Sequence, residues 1–589
     1  MADLINKQSY TREVPPQMKS EVASSSDVST KAYQESIIKL NSLQSTPEEL
    51  KLKKHNANLP AKSHGVKLMT EYLNRCGLNM EKIHQIPVIH VAGTKGKGSV
   101  CAFTESIIRK YGKTTGLYTS PHLIEVRERI RINGKPLDYD KFANYFFEIF
   151  TRLTDTKKDF GEDLPNYPRM LLVLGFYTFW KEKARSVDVA VIEVGMGGEY
   201  DSTNFIGKPI VTGISSLGMD HLKSLGDTIA QIAWHKAGIF KPGRPAFTVP
   251  QPLDAMKEIL ERAKEIGTEV QCVTVSDKQD FGKQHLELGI GGKCQTSNAT
   301  LSIHLCREFL EKRSISESIF REISPDVHPP QCKLKSRVGE RKSDLSNGSG
   351  LGMTSAKPFV LPEEFKAGLR DCYWPGRCQQ VERDKVTYYV DGAHTQRSIE
   401  NCVEWFLDAS GKEEALKSGR TVKMLVFNLK ANKYKPSLIK PLLSCKFVGA
   451  AFCPNYIEDK KENPGDQTCC FTERGTEQDK SRDLMQKFED LKTTSKDASS
   501  EEGSYKSSPK DVEEQVLTRP VKCVNLPSIQ SALQWASAGK DEKMGSPDIQ
   551  NFPLPETANK ADRIQVLVTG SLYLVGGALT LLDRQLASK

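Results

Sequence analysis

The chain has 589 residues, with 83 Lys and Arg against 74 Asp and Glu, a net charge of +9 and 38% hydrophobic residues. That length exceeds one ordinary hydrophobic core, so two domains plus connecting loops are expected. No apolar run is long enough to span a bilayer, those at 171–179 and 187–194 being too short, and the scattered basic excess comes with no zinc knuckle or aromatic RNA-binding motif. These features exclude a membrane-spanning protein and a nucleic-acid binder, and suit anionic small-molecule partners.

Residues 1–35 carry Asp3, Glu13, Glu21 and Asp27 among serines, the composition of a disordered tail rather than an acid-poor, arginine-rich transit peptide. From about Val66 onward helix and strand patterns alternate, which predicts a wound α/β sheet with helices on both faces. Strands are expected at 88–91, 115–118, 187–194, 210–214 and 246–249. Helices are expected at 100–111, 170–183, 252–266, with Gly267 as cap, and 298–312. Together they make a first, ATPase-like domain over residues 36–313. Residues 314–355, dense in Ser, Lys, Pro and Gly, read as a linker insertion. A smaller Rossmann-like α/β domain over 356–589 follows, with strands at 386–390, 422–427, 447–452 and 564–568 and a helix at 396–407. Within it, residues 456–516 are charged, serine-rich and without hydrophobic periodicity, so they are expected to be a low-complexity insertion that adds nothing to core or function. Fourteen cysteines without a C-x-x-C pair read as reduced thiols.

The chemistry starts where the first strand breaks into Gly93-Thr94-Lys95-Gly96-Lys97-Gly98-Ser99. Gly96 and Gly98 let backbone N–H groups close on phosphate oxygens, Lys97 supplies a mobile positive charge, and the helix opening at Ser99 turns its positive end toward the anion. The signature G-x-x-x-x-G-K-[ST] is not met, because Gly98 stands in the Ser/Thr slot, so a magnesium ion must find its ligands elsewhere. Glu193 ends an apolar run, which places a carboxylate at the carboxyl edge of a buried strand, where open α/β sheets bind ligands. Asp391 repeats that placement in the second domain. Lys236 falls on the packed face of a helix expected at 228–237, so either its stem snorkels to solvent or its charge is changed. Arg127, Arg129 and Arg131 alternate; in a strand they would share one face, either as a patch for an anionic substrate tail or as a solvated face.

This loop, with Thr119-Ser120-Pro121-His122, Glu193-Val194-Gly195-Met196-Gly197-Gly198, Ser215-Ser216-Leu217-Gly218-Met219-Asp220-His221, Trp374-Pro375-Gly376-Arg377, Asp391-Gly392-Ala393-His394 and Val568-Thr569-Gly570-Ser571, resembles the folylpolyglutamate synthases of the Mur ligase superfamily, most closely the animal enzymes. The resemblance implies a two-domain Mur-ligase-like architecture. It also implies an ATP-dependent carbon–nitrogen ligase that adds L-glutamate to the γ-carboxylate of tetrahydrofolate and its polyglutamates through an acyl phosphate. It implies Mg²⁺ held by Ser120, Glu193, His221 and a carbamylated Lys236, with Lys97, Lys236 and His221 catalytic. ATP would be held by Gly96, Lys97, Gly98, Ser99, Arg377, Asp391 and His394. A monovalent cation such as K⁺ is admitted, a monomer is expected, and the compartment is cytoplasmic with a mitochondrial matrix form. From the residues alone, His221 is equally a polar loop residue and Arg377 a surface charge in a turn.

Two departures stand against the pattern. The usual Phe-Asn-x-Thr-Gly-x-Arg-Asp element reads Phe427-Asn428-Leu429-Lys430-Ala431-Asn432-Lys433-Tyr434, and Cys294 replaces a histidine. They leave open a dihydrofolate synthase and a catalytically silent nucleotide- or folate-binding homologue.

Overall fold

The computed structural model describes residues 25–44, 64–160, 164–183, 187–274, 286–313, 354–355, 359–429, 436–459, 465–467, 474–497 and 521–583. The first sheet contains β1 (Val88–Ala92), β2 (Thr115–Tyr118), β3 (Ile130–Ile132), β4 (Lys135–Pro136), β5 (Val189–Glu193), β6 (Val211–Ile214), β7 (Ala246–Thr248), β8 (Val270–Cys272) and β9 (Thr354–Ser355). Their order is β4-β3-β2-β5-β1-β6-β7-β8-β9, parallel except at the β3 and β4 edge. The fully buried central strands β1 and β5 are apolar apart from His90 in β1 and the terminal Glu193 of β5, because both faces are covered by helices. Register pairs Val91 with Glu193, Ala92 with Ile214 and Tyr118 with Ile192, so the chain leaves β1, β2, β5 and β6 at one common edge.

The second sheet contains β10 (Gln379–Glu382), β11 (Val386–Asp391), β12 (Thr421–Phe427), β13 (Gly449–Phe452), β14 (Lys522–Asn525) and β15 (Arg563–Thr569), in the order β10-β11-β15-β12-β13-β14. Only β10 is antiparallel. Asp391 and Phe427 both pair with Thr569, which again gathers strand ends at one edge. These are two wound α/β sheets in the Mur-ligase-like arrangement.

Three stretches differ from the sequence expectation. Residues 25–35, expected in the tail, lie in helix Ser25–Asn41, whose Tyr33, Ile37 and Leu40 recur at helical spacing and are buried in the first core. Helix Glu363–Arg370, expected in the second domain, packs on the phosphate-loop helix, where Ser106 Oγ donates to the Gly368 carbonyl at 2.7 Å. Thr354–Ser355, expected in the linker, pairs with β8. Most of the expected linker, and residues 430–434 of the altered element, lie outside the described residues. Within the expected low-complexity insertion, Gly465–Gln467 forms a buried turn and Arg474–Asp497 a helix that sinks Leu484 and Phe488 into the second core. Among the described residues eleven cysteines, from Cys76 to Cys523, are free thiols, which fits the reduced-thiol reading.

Candidate active site

The phosphate loop is shaped by its glycines. Gly93 has φ 148°, and the place a side chain would take is filled by the Ser215 hydroxyl. Thr94 and Lys95 N–H groups donate to the Ser216 carbonyl at 3.0 Å each, which docks the loop on the end of β6. Gly96 has φ 87° and lies against the Asn298 amide. It precedes helix Lys97–Lys110, which begins two residues earlier than expected and has no side chain capping its first turn. The unpaired N–H groups and the positive helix end are thus left for an anion. Ser99 is buried in that first turn.

Glu193 sits at the edge predicted for it, 4% exposed. Its Oε2 accepts the Ser120 backbone N–H at 2.9 Å, and Lys97 Nζ stands 3.8 Å from Oε1, too far for a hydrogen bond. Burial raises the Glu193 carboxyl above its ordinary value, opposed by Lys97, the Ser120 N–H, Arg377 and Arg129. Lys236 lies in helix Ile229–Ala237, which is started by a Thr228 and Gln231 capping box. It is 4% exposed, and its Nζ donates to the Gly93 carbonyl at 2.8 Å. Burial, with Lys97 and Lys95 and against Asp201 and Asp220, pushes the amine down to about 7.

The second sheet faces this loop. Asp391 is buried, and its Oδ2 accepts the Cys378 N–H at 2.9 Å. Burial raises its carboxyl, with Arg377 the largest opposing influence. Arg377 is folded over the Gly376 carbonyl at 3.1 Å and lies against Gly392, where a side chain would displace it. His394 Nδ1 donates to the Gly392 carbonyl at 2.9 Å, which leaves Nε2 to accept from Lys95 Nζ at 3.4 Å. Lys95 also pairs with Asp220 at 3.2 Å. Between the domains lies a small cleft, lined among others by Thr119, His122, Glu128, Arg131, Trp374 and Arg377. The phosphate loop therefore meets the second domain through Lys95 and His394, and Arg377, beside Asp391, reaches the neighbouring cleft.

No family model matches the chain. The mitochondrial folylpolyglutamate synthase of Cricetulus griseus is 37% identical over 574 residues, covering 94% of this chain and 92% of that protein. The chain belongs to the folylpolyglutamate synthase family. The family's activity, ATP-dependent ligation of glutamate to folates, is that of this chain, with ATP as co-substrate. Among solved structures, folylpolyglutamate synthase of Mycobacterium tuberculosis complexed with ADP aligns with a TM-score of 0.61 at 19% identity, covering 94% of this chain and 99% of that one. A folylpolyglutamate synthase complexed with AMPPCP and folate aligns at 0.56 and 20% identity, covering 94% and 99%. These last two likenesses concern the fold.

In this member of the family the three alternating arginines do not form one strand face. Val126–Arg129 is a 3₁₀ turn and only Ile130–Ile132 is a strand, because the Glu128 carboxylate draws in the preceding N–H groups. Arg127 turns into a pair with Glu125 at 2.5 Å and stacks on Tyr139. Arg129 donates to His122 Nδ1 at 2.9 Å. Arg131 lines the cleft against the Trp374 ring, its buried Nε without a hydrogen-bond partner among the described residues. Lys95 and Asp220 also join the site, and the two lysines among the three glycines of residues 93–98 were the available signal.

His221 is exposed, in the left-handed region at φ 54°, with its N–H held by Asp220 at 2.9 Å. Among the described residues no three His, Cys, Asp or Glu side chains form a ready-made metal cage. Glu193 nevertheless fits a hard cation: it is a buried carboxylate whose negative charge is incompletely compensated, beside the Ser120 loop. Magnesium characteristically takes one or two carboxylates and completes its shell with phosphate oxygens and water.

Proposed function

We propose that this ligase adds the amine of L-glutamate to the γ-carboxylate of reduced folates and their polyglutamates through an acyl phosphate. The observation that carries the reading is that the phosphate loop meets the second domain, Lys95 reaching His394 at 3.4 Å and Arg377 acting on the buried Glu193 carboxylate. A carboxylate is a poor electrophile and must first be activated. Its oxygen attacks the γ-phosphorus of ATP, the bond to the bridging oxygen breaks, and ADP leaves. The glutamate amine then attacks the acyl carbon, phosphate departs with the carbon–oxygen bond, and the amine loses a proton.

In this reading the loop N–H groups, Gly96, Gly98, Ser99 and Lys97 hold the phosphates, and Lys97 offsets charge that grows on the transferred group. Arg377 reaches phosphate from the other domain, while Asp391 and His394 hold the ribose and base side. Arg131, a lining residue of the cleft, takes an acceptor carboxylate, so the Thr119–Arg131 wall is the acceptor half. Magnesium, when bound, supplies charge neutralisation on the phosphates; Glu193 and Ser120 would hold it, joined by His221 and by Lys236 as a carbamate. The Lys236 amine and CO₂ give a carbamate and a proton, converting a buried cation into a carboxylate-like oxygen donor. The reading needs no monovalent cation such as K⁺. It needs one chain, because both halves of the cleft come from the same molecule. Reduced folates lengthened in this way carry more charge and cross membranes less readily; a mitochondrial form, beside a cytoplasmic one, accords with the name of the Cricetulus griseus relative.

The test is the acceptor. Tetrahydrofolate should support glutamate-dependent turnover and dihydropteroate should not; the reverse would make the chain a dihydrofolate synthase.

A further inference from the structure

The wall that lines the cleft is held from behind by a segment with no place in the reaction itself. Within the wall, the N–H groups of Leu123, Ile124 and Glu125 donate to the Glu128 carboxylate at 2.9, 2.9 and 2.7 Å. The Gly465–Gln467 turn, far away in sequence, then grips the same loop. Asp466 Oδ1 accepts the Val126 N–H at 2.8 Å and the Tyr33 hydroxyl. The Asp466 carbonyl lies 2.7 Å from His122 Nε2. Because Arg129 already donates to His122 Nδ1, the ring proton is on Nε2 and is given to that carbonyl. The turn is itself anchored on two sides. Asn41 Nδ2 donates to the Gly465 carbonyl at 2.8 Å, and Gln467 Nε2 donates to Thr580 Oγ1 at 3.1 Å on helix Leu572–Leu582 of the second domain. Gly576 of that helix presses on the Leu123 carbonyl, leaving no room for a side chain.

The three contributing side chains are nearly fully buried, Tyr33 at 1%, Asp466 at 6% and Gln467 at 8% exposed. Burial, with Glu125 and Glu128 close by, raises the Asp466 carboxyl to about 6, opposed by Tyr33 and the Val126 N–H. A carboxylate buried beside two other acids costs stability, so its presence calls for a role other than general stabilisation. Its contacts converge on the residues that shape the cleft: His122 and Glu128 line it directly, and Ser120 lies two residues before His122.

We propose that the Gly465–Gln467 turn and Tyr33 form a strap, drawn from the second domain and the first helix, that positions the Thr119–Arg131 wall for the folate acceptor. Asp466 and Tyr33 are positioning residues of the ligase. The acceptor part of the proposal rests on the assignment of this wall under the proposed function.

Hydrogen exchange on the substrate-free chain tests the strap without any assumption about activity, and steady-state kinetics tests its consequence. In Asp466→Ala the amides of residues 122–129 should exchange about tenfold faster or more while those of β1 keep their protection. Tyr33→Phe should move the same amides less. The KM for tetrahydrofolate should rise about tenfold, with the KM for ATP within about twofold, and Asp466→Asn, which keeps an acceptor oxygen for the Val126 N–H, should restore most of the loss. Unchanged exchange of the loop amides in folded Asp466→Ala or Tyr33→Phe would overturn the strap. So would exchange accelerated equally in β1, or KM values for ATP and folate that rise together, since both mark loss of general stability. Localised loop exchange with an unchanged folate KM would overturn the positioning role. A chain that turns over no folate at all, with the exchange result intact, would instead contradict the proposed function.

Discussion

Lys95 of the phosphate loop donates to His394 of the second domain across 3.4 Å, with Asp220 3.2 Å away on the other side of the ammonium. The contact spans the cleft, so it couples the loop's position to domain closure. Because Lys95 is about one-third exposed, the pair is worth little by itself in stability. In the proposed function its value lies in presenting both domains to one nucleotide.

Lys95→Ala and His394→Ala should each raise the KM for ATP several-fold, and the double variant should cost less than the product of the two, because the pair acts as a unit. A double-mutant cycle in KM for ATP checks this. Strict multiplicativity would mean that the contact has no part in nucleotide binding.

Lys97 is expected to act on the transferred phosphate. Lys97→Ala should lower kcat by about 10²–10³, the scale seen on removing one preorganised donor, with the thermal midpoint close to that of wild type. Turnover equal to wild type in the folded variant would remove Lys97 from the mechanism.

Lys236 donates to the Gly93 carbonyl from a buried helix face. Lys236→Ala should abolish most phosphoryl transfer while leaving the fold, and a short carboxylate in the medium should recover part of it. With ¹³C-bicarbonate, a carbamate resonance should be present in the wild type and missing from Lys236→Ala. The same spectrum from both proteins would show that Lys236 stays an amine.

His90 is fully buried in β1, its Nε2 2.9 Å from Thr203 Oγ1, and burial with Lys241 lowers its pKa to about 3. The unfolded chain binds a proton near the ordinary value of about 6.5 and the folded chain does not. The stabilisation is therefore complete above about 6.5 and is lost as pH falls toward 3, at up to about 1.4 kcal/mol per pH unit from this group. Urea unfolding between pH 7 and 5 should show a shallower acid loss in His90→Gln than in wild type. Equal slopes would place the acid sensitivity elsewhere.

Strands such as Thr115–Tyr118 and the Gly267 cap were legible because apolar runs and left-handed glycines leave strong local signals. Glu193 and Asp391 were legible as strand-end carboxylates for the same reason. The first helix was hidden because only Tyr33, Ile37 and Leu40 mark its buried face among polar residues. The Gly465–Gln467 turn was hidden because its role depends on partners at Tyr33, His122, Val126 and Thr580, and long-range hydrogen bonds leave no periodicity. The alternation of Arg127, Arg129 and Arg131 would put them on one face only in a strand, and the Glu128 carboxylate folds the first part of that stretch into a turn instead.

The central claim is that both domains serve one ligation in which phosphate leaves ATP only for a folate acceptor that glutamate then captures. ADP release from the purified full chain, measured with ATP and Mg²⁺ and with tetrahydrofolate and L-glutamate supplied singly and together, tests it most directly. The account predicts sustained ADP release only with both, matched one to one by glutamate incorporated into folate. ADP release that ignores either substrate, or none with both present, would contradict it.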